Sequence, residues 1–180
     1  MTRPLFIGPR QSAKAFVLGV LGMLAGVFIF VFGLGCCRCA HVNAQLQATV
    51  CEIGTIMDAA RQNYGMHGYS GLTTAVAIGA RVIPDARVDI GGVTATNRYA
   101  GAITLVDNSA RMAGTAVLSY AGVPGLQCAR MVAAVQSRAR EIDVQGVAVK
   151  RVDGSVDAAS LGVQCATPAR VKIDFIFGSR

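Results

Sequence analysis

Six cysteines are the residues of this chain best suited to chemistry, and they fall into two groups. Cys128 and Cys165 stand apart from the others, far down the second half of the chain. In an oxidising compartment such a pair is expected to form a disulfide. The bridge would close a loop of about 38 residues, which in the chain-entropy model adds roughly 4 kcal/mol to the free energy of unfolding. We therefore predict a Cys128–Cys165 disulfide.

The second group consists of Cys36, Cys37, Cys39 and Cys51. Together with His41, the first three supply soft metal ligands, but metal sites usually space their ligands as pairs on a turn. The alternative is that they are small, semi-apolar residues at a membrane interface, open to oxidation between neighbouring subunits. We expect no metal and no other cofactor, and the role of the four cysteines stays open.

The other polar residues form no recognisable catalytic set. His41 and His67 are isolated in sequence, and His67 lies in a glycine-rich turn that favours a solvated side chain. Residues 68–71 read Gly-Tyr-Ser-Gly, which has the wrong spacing for a nucleophile elbow and fits helix capping better. Asp153 and Asp157 have the setting of loop residues. We expect no enzyme and no small-molecule substrate.

The net charge of +7 comes mostly from scattered arginines. The local basic clusters are Arg138 with Arg140 and Lys150 with Arg151. Nucleic-acid binding is typical of a basic stripe interleaved with aromatic residues, which this sequence lacks. The charge therefore indicates a solvated face, and a nucleic-acid partner is not expected.

An apolar run over residues 15–35 contains no charged side chain. As a helix it would be about 30 Å long, which matches the hydrocarbon core of a bilayer. The leader, residues 1–14, has no acid and is basic through Arg3, Arg10 and Lys14. The positive-inside rule therefore predicts a cytoplasmic N-terminus and a head outside the cytoplasm.

Two features near the run leave alternatives open. Gly22 and Gly26 form a small-xxx-small pair, which indicates either close helix packing or the ordinary tolerance of membrane helices for glycine. Residues 42–44 (Val-Asn-Ala) resemble a signal-peptide cleavage site, and residues 33–36 (Gly-Leu-Gly-Cys) resemble a poor lipidation box. Either kind of processing would release or acylate the head instead of leaving it on a spanning helix.

Periodicity after the run predicts an α+β head. Residues 36–64 continue the helix, with an apolar stripe of Leu46, Val50, Ile53, Met57 and Ala60 and a C-cap at Gly65. Residues 65–180 form the head, where we predict a short helix at 69–78 capped by Ser70 and a turn at 93–97. Strands are predicted at 99–106, 113–120, 142–144, 147–152 and 171–177, paired as an antiparallel sheet. A helix over 125–138 is predicted to bury a face of Leu126, Ala129, Val132, Ala133 and Gln136.

Three features together resemble type IVb pilins. They are the apolar run that continues into the head, the segment 69–78 followed by Val-Ile-Pro-Asp at 82–85, and the pair Cys128 and Cys165. The similarity is to PilS-type subunits of thin, conjugation-associated pili. It implies a type IV pilin fold, with a long N-terminal α-helix packed on an antiparallel sheet. In such pilins the cysteine pair frames an exposed region near the C-terminus.

The resemblance also implies a function and a set of partners. The chain would be a prepilin held in the inner membrane, with its head in the periplasm, until a prepilin peptidase trims it. The pilus assembly machinery would then polymerise it with its own copies and other pilins into an extracellular filament for adhesion or conjugation. The residues implied for the membrane and polymerisation helix are Phe16, Leu18, Leu21, Gly22, Leu24, Gly26, Phe28, Phe30 and Phe32.

One departure from the pilin pattern concerns processing. Such prepilins carry a glycine before the cut and a glutamate shortly after it, yet this chain has no acid before Glu52, and Gly8 is followed by Pro9. The sequence therefore does not locate the cleavage site, and a minor pilin, a divergent subunit or an uncut anchor stays open. The alternatives to a polymerising pilin are an inner-membrane-anchored binding module that stays monomeric and a secreted or lipidated periplasmic protein.

Overall fold

The computed structural model describes residues 43–152, 154–166 and 169–178, which lie mainly in the compact unit Gln45–Arg180. The helices described are α1 (43–64), α2 (Thr74–Gly79), α3 (Gly125–Val135) and α4 (Ala158–Ala166). The strands described are β1 (Ala95–Thr96), β2 (Ala102–Asp107), β3 (Thr115–Pro124), β4 (Glu141–Val144), β5 (Val147–Lys150) and β6 (Arg170–Gly178). The leader and the apolar run 15–35 lie outside this part of the chain. Within it, no helix combines the length and the hydropathy of a bilayer-spanning segment.

The strands form one six-stranded sheet in the order β1-β2-β3-β6-β4-β5, and each neighbouring pair is antiparallel. The period of two is clearest in β2, where Ile103 and Leu105 are buried and Thr104 and Val106 are exposed. The buried residues of this face share one hydrophobic core with α1. The predicted α+β architecture, a helix on an antiparallel sheet, is confirmed.

The apolar stripe of α1 lies in that core. Leu46, Ile53, Met57 and Ala60 are buried and Val50 packs against them, as the three-and-four spacing predicts. The predicted cap is wrong by three residues. Gly65 begins a 3-10 turn, Gly65–His67, and the left-handed residue that ends it is Gly68, with φ of 66°.

Two predictions between α1 and β2 are also wrong. The cap of α2 is Thr73, whose hydroxyl accepts a hydrogen bond from the Val76 amide at 3.3 Å, so the helix begins after Ser70. Residues 93–97, predicted as a turn, contain β1, which pairs with β2 through Ala95 and Ile103. Such a short edge strand is defined by its neighbour more than by its own sequence, which is why the pattern missed it.

Both predicted hairpins form. Strands β2 and β3 pair from Ile103 with Tyr120 to Asp107 with Ala116. Strands β4 and β5 meet at a turn in which Gln145 and Gly146 have φ of 54° and 78°, the geometry that two-residue hairpins favour. The terminal strand β6 lies beside β3 in the middle of the sheet. Helix α4 was not predicted.

The buried face of α3 shares only Val132 with the face predicted from the sequence. Its buried residues are Gln127, Cys128, Met131, Val132 and Val135. Leu126, Ala129 and Ala133 are exposed instead. Gln127 explains the error, because its buried side chain accepts a hydrogen bond from the Tyr99 hydroxyl, and a polar residue on the core face breaks the apolar pattern.

The sheet makes a very close backbone approach at Gly101, next to the irregular part of β3. A Cβ on Gly101 would lie 1.9 Å from the Ala121 carbonyl oxygen. We expect G101A to lower the free energy of unfolding by about 2–3 kcal/mol, measured by urea unfolding. The added methyl group would force the backbone at Ala121 to move. The matched control is G162A in α4, where a Cβ meets nothing within 4 Å. That variant should gain about 0.5–1 kcal/mol, and equal effects of the two changes would contradict the clash.

Candidate functional site

A disulfide joins Cys128, in the first half of α3, to Cys165, near the end of α4, with the two Cα atoms 5.6 Å apart. This is the pair predicted from the sequence. Both cysteines are buried in the core, which shields the bridge from water and reductants. The bridge therefore fastens α4 to α3, two helices that no strand pairing connects.

The remaining candidate residues for chemistry are solvated or serve as caps. Cys51 on α1 is exposed and has a free thiol, whereas Cys36, Cys37 and Cys39 lie outside the described residues. His67 is exposed in its 3-10 turn. Asp157 caps α4, because its Oδ1 accepts the amides of Ala159 at 3.0 Å and Ser160 at 3.2 Å. The described residues contain no group of three or more metal-ligating side chains arranged around a common point.

Glu52 of α1 contacts strand β3 of the sheet and two arginines, one before β1 and one between β1 and β2. Its Oε2 accepts a hydrogen bond from Arg87 Nε at 2.8 Å, and Arg98 Nε lies 3.4 Å from the same oxygen. Its Oε1 accepts a hydrogen bond from the Tyr120 hydroxyl at 2.7 Å. Burial raises the pKa of Tyr120 far above its ordinary value, and the negative charge of Glu52 adds to the effect. One carboxylate thus holds three parts of the head together.

Asp58 makes a second, more exposed set of contacts two turns further along α1. Its carboxylate accepts hydrogen bonds from Arg61 at 2.9 Å and from Arg138 at 2.7 Å. Arg61 also donates to the carbonyl oxygen of Gly178 at 3.1 Å and lies over the Phe177 ring. Partial burial would raise the pKa of Asp58, but the two guanidinium groups outweigh it and lower this pKa below its ordinary value. These contacts anchor the end of α1 to the end of β6.

The opposite face of the sheet carries acids on neighbouring strands. Asp143 of β4 and Asp174 of β6 are directly opposite each other in the ladder. Arg111, from the loop between β2 and β3, donates to Asp143 at 2.9 Å and to Glu141 at 2.6 Å. Lys172 lies 3.0 Å from Asp174. Because like charges opposite each other destabilise a sheet, these cations compensate the pairing.

An apolar cleft of about 660 Å³ lies between α3 and α4, beside the disulfide. It is lined by Pro124, Gly125, Leu126, Ala129, Gly162, Cys165, Ala166 and Ala169. None of these side chains ionises, apart from a cysteine that is already oxidised. The cleft therefore offers shape and apolar surface but no group for acid–base or metal chemistry.

A family model, PilS N terminal, matches residues 43–176, which is most of the chain and nearly all of the part just described. This chain belongs to the PilS family of type IVb pilins. The chain is accordingly a structural subunit of a pilus, which assembles with other pilin subunits into a filament. The resemblance found in the sequence is confirmed.

Two solved structures share the fold of this PilS pilin. A type IVb pilin from Salmonella typhi matches with a TM-score of 0.52 and 16% identity, over 71% of this chain and 98% of that one. TcpA, a type IV pilin from Vibrio cholerae El Tor biotype, matches with a TM-score of 0.52 and 12% identity, over 74% of this chain and 98% of that one. At such identities the similarity concerns the fold. A search of the curated proteins finds no match.

The residues predicted for the polymerisation helix, Phe16 to Phe32, precede the described part of this pilin. What sequence reasoning missed is the role of Glu52, which lies off the apolar stripe that predicted the core face of α1. A signal was present, because Glu52 is flanked by Thr49 and Ile53 at positions that turn toward the core. An acid at such a position indicates a buried partner of opposite charge.

Proposed function

We propose that this pilin polymerises through residues 15–35 into an extracellular filament. The observation that carries the proposal is the family match over residues 43–176, directly after an apolar run without a charged side chain. Filament growth requires a heterologous interface that does not close on itself, and a rod-like segment shared by all subunits provides one. The residues proposed to form that core are Phe16, Leu18, Leu21, Gly22, Leu24, Gly26, Phe28, Phe30 and Phe32.

The physical reason is the solubility of the run. A helix that is apolar on all faces is stable in lipid or among its own copies, and water does not accept it alone. Before assembly the run would therefore be held in the inner membrane, with the basic leader in the cytoplasm and the head in the periplasm. Extraction by the assembly machinery would be coupled to stacking on the growing filament.

The mass of the mature chain shows whether the leader, residues 1–14, has been removed. A prepilin peptidase would leave a trimmed subunit, whereas an uncut anchor would keep residues 1–14. Mass spectrometry of the intact chain from sheared extracellular filaments measures this directly. We expect the chain in those filaments. Its absence from filaments that otherwise assemble normally would contradict the proposal and favour an anchored module that stays monomeric.

Gly22 and Gly26 test whether the run packs against other helices. In G22I/G26I the added side chains would separate neighbouring helices, so we expect a loss of sheared filaments by an order of magnitude or more, measured by immunoblot, while the chain stays in the membrane fraction. The matched control is V20I/V27I, which adds apolar bulk on another face of the same helix and should assemble normally. Filaments at wild-type level from G22I/G26I would exclude close packing at the glycines.

For the biological role of the filament, the proposal includes both adhesion and conjugation. Adhesion and conjugation are the two roles that the resemblance to thin-pilus subunits implies. A strain that lacks the chain should lose one of them, and complementation with the wild-type chain should restore it. Mating assays and host-cell binding assays on the same pair of strains separate the two roles.

A further inference from the structure

Cations from separate parts of the chain lie together at one corner of the head. The ammonium group of Lys150 donates hydrogen bonds to the carbonyl oxygens of Ala139 at 2.6 Å and Arg140 at 3.2 Å. Arg61 of α1 reaches the same corner, because its Nη2 donates to the carbonyl oxygen of Arg138 at 2.6 Å. We call this set of side chains the basic cluster: Arg61, Arg138, Arg140 and Lys150.

Arg61 connects the two exposed arginines of the basic cluster. Its Nη1 and the Nη1 of Arg138 bind the same carboxylate, that of Asp58, at 2.9 and 2.7 Å. Its Nε donates to the carbonyl oxygen of Gly178 at 3.1 Å. The guanidinium group of Arg140 lies against the same glycine, since a Cβ built there would be 3.4 Å from Arg140 Nη1. Arg138 and Arg140 therefore each lie beside Arg61.

Backbone carbonyls supply most of the partners of the basic cluster. Arg61 and Lys150 each donate to two carbonyl oxygens. In the described part of the chain, the acid that forms ion pairs with the cluster is Asp58, whose side chain is 45% exposed. The neighbouring Glu141 is bound by Arg111 instead, at 2.6 Å. The cluster therefore keeps a net positive charge.

An anion would relieve the repulsion within the basic cluster. Burial lowers the pKa of Lys150, as expected for an ammonium group whose partners are carbonyls. Like charges that are held close together repel each other, and an anion between them removes this cost. The carbonyl contacts already fix Arg61 and Lys150, so that an anion would not have to order these two side chains.

We propose that the basic cluster binds a phosphate group, free or as an ester, through the guanidinium groups of Arg138 and Arg140. Both side chains are exposed, 42% in the case of Arg138, whereas Arg61 is only 13% exposed and positions its neighbours. A guanidinium group donates two parallel hydrogen bonds to two phosphate oxygens. A tetrahedral phosphate has enough oxygens for two such groups, but a carboxylate has enough for one. The proposed site is separate from the polymerisation helix.

Replacement of Arg140 tests the site. R140Q removes one exposed charge and leaves the main-chain carbonyl that binds Lys150 in place. Affinity is measured by isothermal titration calorimetry of the full chain in non-ionic detergent and low salt, with inorganic phosphate as the titrant. We expect R140Q to weaken phosphate binding about tenfold, because a charged hydrogen-bonding group is lost. The matched control R81Q removes the same charge from an exposed arginine just after α2, and should weaken binding less than about twofold.

D58N should change the affinity in the opposite direction. Asparagine keeps an oxygen that accepts hydrogen bonds but has no charge, so that Arg138 loses the anion with which phosphate competes. We expect inorganic phosphate to bind about two- to fivefold more tightly, which is the size expected for a partly exposed ion pair. A merely structural role of the arginines would not produce this gain. Urea midpoints close to that of the wild type verify that all three variants fold.

Two further titrants define the ligand. Glycerol 3-phosphate tests an ester-bound phosphate group against the free ion, and the tighter of the two identifies the source. Acetate should bind at least about tenfold more weakly than phosphate, since it can satisfy one guanidinium group. Equal affinity for acetate would overturn the assignment to phosphate.

Two outcomes with inorganic phosphate would overturn the site itself. One is the absence of a binding heat with the wild-type chain. The other is equal weakening by R140Q and R81Q, which would reduce the effect to the net charge of the protein. Neither outcome concerns filament formation, so the proposed function would stand.

Discussion

Replacement of both bridged cysteines, C128A/C165A, is expected to lower the free energy of unfolding by about 4 kcal/mol. The bridge spans 37 residues of sequence, so its loss returns a large loop entropy to the unfolded chain. The native head also depends on it, because α4 is fastened to α3 at this point. The measurement is urea unfolding of the full chain in non-ionic detergent, followed by far-ultraviolet circular dichroism.

The matched control for the bridge is C51A, which removes the exposed thiol of α1 and should change the free energy of unfolding by less than about 0.5 kcal/mol. Wild-type protein that is unfolded in reductant should share the urea midpoint of C128A/C165A. A variant that unfolds at the wild-type midpoint would show that the core supports α4 without the bridge.

Replacement of Glu52 by alanine is the second change with a large expected effect. E52A removes the acceptor of Arg87 and Tyr120 and the counter-charge of Arg98, all on a side chain that is only 7% exposed. The partly buried Arg87 and the buried Tyr120 hydroxyl, left without their partner, cost roughly 3 kcal/mol together, which urea unfolding measures. E52Q keeps an acceptor for Tyr120 without the charge, so its effect should be intermediate.

Asp58 supplies the control on the same helix. It also contacts two arginines, Arg61 and Arg138, but its side chain is 45% exposed. Because water solvates the arginines when the acid is removed, D58A should cost no more than about 1 kcal/mol. Equal losses for E52A and D58A would mean that burial is not what makes Glu52 important.

Much of the fold followed from local pattern. Apolar residues recur every three or four positions in α1 and at alternate positions in the hairpin strands and β6. This spacing can be recognised in the sequence without knowing which elements pack against each other. The pairing of Cys128 with Cys165 followed from their separation from the other cysteines. The resemblance to type IVb pilins rested on the same local features, and the family match over residues 43–176 confirms it.

The remaining features depend on contacts between residues far apart in the chain. Strand β1 forms because it pairs with β2. The side chain of Gln127 lies in the core because the hydroxyl of Tyr99 donates a hydrogen bond to it there. The Glu52 side chain is only 7% exposed because Arg87 and Tyr120, remote in sequence, converge on it.

The sequence by itself determined the apolar run, the helical stripe, the strands of the hairpins and the family. Only the tertiary structure decided which face of α3 is exposed, where α4 lies and which acid of α1 is shielded from water. The physical reason is that periodicity records burial averaged along one element. The partner of a polar side chain, by contrast, is set by residues that only folding brings together.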